Sequence, residues 1–151
     1  MPALLLALLL DCKPVELTPY TVKGTTKRNV TVVVTKDAAT VKEGATVLFT
    51  EASAPFKVLL AADDGWVAMK GPYPIGSIRI APVQKGAKLT TVDPLEHLTP
   101  EERQRVPETS CGTSWFRDWK GTPGELELEV AQGEAKPLVL RVKPDGSVSR
   151  K

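Results

Sequence analysis

The sequence has little of the residue types that most often carry chemistry. Its 151 residues include one histidine, His97, two cysteines, Cys12 and Cys111, and 5% aromatics. A single histidine excludes a two-histidine metal site and the two-histidine, one-cysteine set of blue copper. Cysteines nearly a chain length apart exclude a CxxC redox motif and a four-cysteine zinc site. One disulfide is the most they make. It would close a loop of about a hundred residues and stabilise by ~4–5 kcal/mol in the chain-entropy model. In a reducing compartment the expectation is instead two free buried thiols. Amide side chains are scarce as well, with Asn29, Gln84, Gln104 and Gln132 set against 13 prolines, a profile that leans toward a thermophilic source. A net charge of +2 creates no field that argues for nucleic acid. No glycine-rich phosphate loop, Ser-His-Asp order or framed carboxylate pair is present.

Long hydrophobic runs are also missing, with one exception at residues 3–10, ALLLALLL. A membrane-spanning helix needs ~20 apolar residues, and this run stops at Asp11-Cys12-Lys13, so no membrane span is expected. A secretory signal has an apolar stretch of this length, but no basic residue precedes the run and no Ala-x-Ala follows it. Leu9-Leu10-Asp11-Cys12 resembles a bacterial lipoprotein signal, with charged Asp11 where a small residue is usual. Eight apolar residues stay ordered in water only when something covers them. The run therefore reads as an arm that docks on its own domain or on a neighbour, with an uncleaved export signal as the competing reading.

What the chain does have is strand pattern. At this length one full hydrophobic core is expected, with arms. Residues 13–28 carry Pro14, Pro19 and Gly24 with little periodicity and read as an extended connector. Residues 30–35 (VTVVVT) and 45–50 (ATVLFT) read as two strands across a Lys42-Glu43-Gly44 turn. Residues 56–62 and 66–70 form a hairpin around Asp63-Asp64-Gly65, with Gly65 supplying the positive φ. Residues 77–83 alternate Ile78 and Ile80 inward with Arg79 outward, and residues 88–92 add a short strand. Thr99-Pro100-Glu101-Glu102 predicts one short helix with Thr99 as N-cap, ending before Pro107.

Residues 107–124 read as irregular, and after them comes the cleanest alternation in the chain. Leu126, Leu128 and Val130 face one way and Glu125, Glu127 and Glu129 the other, and Leu138, Leu140 and Val142 repeat the pattern. Pairing Val130 with Leu138 sets Leu128 on Leu140, Leu126 on Val142, Glu127 on Arg141 and Glu125 on Lys143, so both faces agree. The sum predicts a mainly β domain: an antiparallel β-sandwich or barrel of seven to eight short strands with one short helix. Its organisation reads as an arm and connector at 1–28, the β domain at 29–143 and a basic C-terminal tail at 144–151.

Each candidate for chemistry has a plainer counterpart. Cys111 with His97 would make a nucleophile pair, but nothing in their spacing supports it. Asp63-Asp64 fits a hairpin tip better than a cation site. Residues 114–119 (SWFRDW) bring Trp115, Phe116 and Trp119 together with Arg117, the types enriched at binding hot spots. These aromatics either cap the end of the fold or form an interface. No catalytic, metal or cofactor site is expected, and the expected interface is Leu4, Leu5, Leu6, Leu8, Leu9, Leu10, Trp115, Phe116 and Trp119.

Residues 40–47 (TVKEGATV) resemble the strand entry of cupredoxins and other sandwich domains, without the second ligand histidine copper would need. In organisation, with its apolar arm, proline-bearing connector and basic tail, the chain resembles the small phage capsid decoration (cement) proteins. That resemblance implies a non-enzymatic structural protein of the virion, homo-oligomeric and often trimeric, whose arm adds to neighbouring shell subunits. The alternative is an exported envelope or extracellular binding domain, with the apolar run as signal or lipid-anchor remnant.

Overall fold

Valine, isoleucine and leucine at alternate positions give each strand one face to bury, and where both faces are apolar the strand must lie between two layers. The sequence Trp66-Val67-Ala68-Met69 is of the second kind, and the architecture follows from it. The computed structural model describes residues 15–151. Cys12 and the expected arm residues Leu4, Leu5, Leu6, Leu8, Leu9 and Leu10 lie outside the described residues.

The described residues are mainly β and pair antiparallel, in three four-stranded meanders and a two-stranded ribbon. Sheet I holds β1 (Tyr20–Lys23), β2 (Val30–Val34), β3 (Ala39–Glu43) and β4 (Thr46–Glu51). Sheet II holds β5 (Lys57–Leu60), β6 (Trp66–Lys70), β7 (Ile78–Pro82) and β8 (Thr90–Val92). A 3₁₀ helix, Pro94–His97, and a short α-helix, α1 (Pro100–Gln104), lead to the ribbon of β9 (Glu108–Thr109) and β10 (Gly112–Thr113). Sheet III holds β11 (Phe116–Thr122), β12 (Glu125–Gln132), β13 (Ala135–Val142) and β14 (Val148–Arg150). The capping box of α1 is as expected: Thr99 Oγ1 accepts from Glu102 N, and Thr99 N donates to the Glu102 carboxylate.

Sheet II is the middle layer, so the expectation of one core is corrected to two. Val67, Met69, Ala81 and Val83 pack with Val30, Val32, Val34 and Val41 of sheet I. Trp66, Ala68, Ile78, Ile80 and Val92 pack with Leu126, Leu128, Val130, Leu140 and Val142 of sheet III, and Val106 and Trp115 complete that core. Period-two geometry sends alternate residues of β6 to opposite cores, which is why every residue of that strand is buried. β7 is likewise not half-buried, because Ala81 is covered on the face opposite Ile78 and Ile80.

The β12–β13 register matches expectation at Leu126↔Val142, Glu127↔Arg141, Leu128↔Leu140 and Val130↔Leu138. The charges are shared differently, because Arg141 approaches Glu125 at 3.8 Å and Glu127 takes Lys151 at 3.1 Å. Other expectations are corrected. The connector at 13–28 contributes β1, which pairs with β2 from Tyr20↔Val34 to Lys23↔Thr31. Residues 39–43, left between two strands, are β3 itself. The 107–124 stretch contains β9, β10 and all of β11. The tail at 144–151 is not free either: Asp145 Oδ1 accepts from Ser147 N, Gly146 turns at φ +90°, and the chain returns as β14 against β13. In the β5–β6 hairpin it is Asp64, at φ +58°, that adopts the left-handed conformation expected of Gly65.

Candidate contact surface

The surface with the most construction behind it forms where the β6–β7 connection meets the β9–β10 ribbon. Proline at 72 and 74 denies residues 71–76 a ladder of their own, so their carbonyls are satisfied by donors from the core. Trp115 Nε1 donates to Gly76 O at 2.6 Å and Phe116 N to Pro74 O at 3.1 Å. Lys70 Nζ donates to Gly71 O at 2.9 Å and Tyr73 O at 3.0 Å. The segment is thus pinned from below and presents Tyr73, Pro74 and Ile75 outward. Facing them, the ribbon is tightened by Thr109 Oγ1, which donates to Gly112 O and accepts from Cys111 N. Between the two lies a mostly apolar groove of about 280 Å³ lined by Tyr73, Pro74, Ile75, Thr109 and Cys111.

Lys70 is the unusual group beneath this surface. Only 2% exposed, its ammonium sits 4.4 Å from the centre of the Phe116 ring, and Lys57 approaches the same ring at 5.9 Å. Burial, with the Lys57 charge adding to it, pushes the Lys70 pKa down to about 8. Two carbonyls and an aromatic face nonetheless accommodate the charge. Phe116 also meets Trp115 and Trp119 edge-on, each at 5.7 Å.

Of the residues expected at an interface, Trp115 is corrected: it is fully buried and belongs to the core. Phe116 and Trp119 are half-buried against that core. Their spacing follows from a bulge between Phe116 and Asp118, which leaves Arg117 as the extra residue, so that Phe116 and Trp119 share the inward face three positions apart. Cys111 is disulfide-bonded, which corrects the expectation of free thiols, and no free cysteine occurs among the described residues. A disulfide sulfur has no thiol to ionise, so the Cys111–His97 pair lacks an attacking group in this state. His97 is exposed, and its carbonyl accepts from Arg150.

Asp64 is more than a turn residue. It is fully buried, and its Oδ2 accepts from Thr26 N and Thr26 Oγ1, joining the β1–β2 connection to the β5–β6 hairpin. Gly24 is required there, since a Cβ would lie 2.2 Å from Asp64 Oδ1. Arg28 closes the seam by donating to Asp64 O at 2.9 Å, Val83 O at 2.8 Å and Glu43 Oε2 at 3.0 Å. At the far end Arg150 donates to the Glu102 carboxylate and holds its pKa down at about 2. These charged groups are committed to structure. Among the described residues no three His, Cys, Asp or Glu side chains gather as metal ligands, and no helix is long and apolar enough to cross a membrane. No protein-family model, curated protein or solved structure matches the chain.

Proposed function

We propose that this protein is a non-enzymatic contact module of an oxidising, extracytoplasmic setting, the cell envelope or the medium beyond it. The observation that carries the reading is the disulfide-bonded state of Cys111. Structural disulfides persist where glutathione and thioredoxin do not keep thiols reduced, and outside the hyperthermophiles they are rare in the cytosol, so the cell fractionation described below is what separates the two settings. The character of the groove supports contact rather than turnover: it offers an aromatic ring, a proline, an aliphatic side chain and a disulfide, with Lys70 beneath it already committed to Gly71 O and Tyr73 O. Virion exteriors are oxidising too, so the capsid decoration reading shares this chemistry. It differs in having the 3–10 run dock on a neighbouring shell subunit.

The test is the thiol state of the protein as recovered from its native cells, trapped at lysis with a maleimide. Cys111 is expected to resist labelling until a reductant is added, and the protein to fractionate outside the cytoplasm. Full labelling before reduction, with cytoplasmic fractionation, would overturn the reading.

A further inference from the structure

We infer that the Tyr73–Cys111 groove is the seat of the chain's own apolar run, with the leucines just before Cys12 held against Ile75 by a Cys12–Cys111 disulfide. The inference rests on the oxidising setting proposed above and adds what that setting is for. Cys111 is disulfide-bonded, and Cys12 is the one other cysteine in the sequence. A bond within one chain therefore joins these two. Cys111 itself lines the groove, alongside Tyr73, Pro74 and Ile75. At ~3.3–3.6 Å per extended residue, Leu10 lies within about 7 Å of Cys12 along the chain and Leu9 about one residue farther. A Cys12–Cys111 bond thus brings leucine side chains within reach of an apolar groove.

At about 280 Å³ the groove has room for one or two side chains, and the tether at Cys111 makes the chain's own leucines the nearest candidates. Formation of the bond is a two-electron exchange. The Cys12 and Cys111 thiols give two electrons and two protons to a disulfide oxidant such as oxidised glutathione, which leaves as two thiols.

The experiment is non-reducing peptide mapping of the full chain, alkylated at recovery, combined with the rate of disulfide reduction by dithiothreitol in wild type and Ile75→Asp. Ile75 is only partly buried, so this variant tests the groove without emptying either core. The expected result is a Cys12–Cys111 peptide pair in a monomer, and a several-fold faster reduction in Ile75→Asp with raised binding of an apolar dye. A Cys111–Cys111 pair joining two copies would overturn this inference and leave the oxidising setting standing. Both thiols free in protein recovered from the native cells would overturn both. A Cys12–Cys111 pair reduced at the wild-type rate in both Ile75→Asp and Tyr73→Ser would overturn the seating in the groove.

Discussion

The two cores on either side of sheet II solve the same burial problem with different side chains. The core against sheet I is built largely of valine, with Val30, Val32, Val34 and Val41 facing Val67 and Met69. Its polar groups stand at the margin, in the Asp64–Thr26–Arg28 seam. The core against sheet III is built of leucine, isoleucine and tryptophan, and its polar atoms come from the core residues themselves. Trp66 Nε1 donates to Thr122 O at 3.0 Å and Trp115 Nε1 to Gly76 O. In the valine core, packing and loop anchoring are separate acts that separate mutations reach. In the tryptophan core they are one act, because the ring that fills the space also holds the loop.

The sharpest way to break that contrast is Trp115→Ala, which removes a fully buried ring and unties Gly76 together, at about 3–5 kcal/mol. Chemical denaturation should also show loss of the groove, read as exposure of Tyr73 by fluorescence. Trp115→Phe keeps most of the volume and leaves Gly76 O unpaired, so a smaller cost of about 1–3 kcal/mol separates the two contributions. Leu128→Ala empties the same core without touching a loop and should cost about 2–5 kcal/mol with the groove unchanged.

Across the middle sheet, Gly24→Ala sets a Cβ against the Asp64 carboxylate and should cost about 1–3 kcal/mol by displacing the seam, while the valines stay packed. A nuclear magnetic resonance map showing shifts throughout β2 and β3 would refute the claimed separation. Smaller still is a pH effect confined to the tryptophan side. Lys70 titrates at about 8 in the folded protein against an ordinary 10.5, so the unfolded chain binds its proton more tightly. Stability should therefore rise from pH 8 toward 10.5, and Lys70→Met should abolish that rise. Tyr20, raised by burial to about 12 from 10.0, works the other way and lowers stability as pH climbs from 10 to 12. The diagnostic window is thus pH 8 to 10. At the bottom of the scale, Glu127→Gln removes a solvent-facing partner of Lys151 and should cost at most about 1 kcal/mol in urea unfolding.

What was legible in the sequence divides along the same physical lines. Where one face is buried and the period is an unbroken two, as in β12 and β13, even the register could be read. β11 was hidden because its bulge sets Phe116 and Trp119 three apart, a spacing that imitates neither strand nor helix. β3 was hidden by brevity, since Ala39, Val41 and Glu43 run straight into the Gly44 turn. β14 was hidden because Pro144 does end one ladder, while the Asp145–Ser147 turn beyond it starts another. The middle position of sheet II was implicit in the unbroken apolar run at 66–69, but a run that short fits a buried helix segment equally well. The groove was out of reach, since its two walls are more than thirty residues apart in sequence and meet only through donors from Trp115, Phe116 and Lys70.

Strand β6 is shared by both cores, and that has a kinetic consequence. Its amides are covered by layers on both faces and bonded to β5 and β7 on both edges, so no local opening brings water to them. Either outer sheet peels away only by uncovering one face of β6, which at once weakens its packing against the other. The two cores are therefore expected to melt in a single transition, and the protons of Trp66–Lys70 to exchange with solvent last, at the rate of global unfolding.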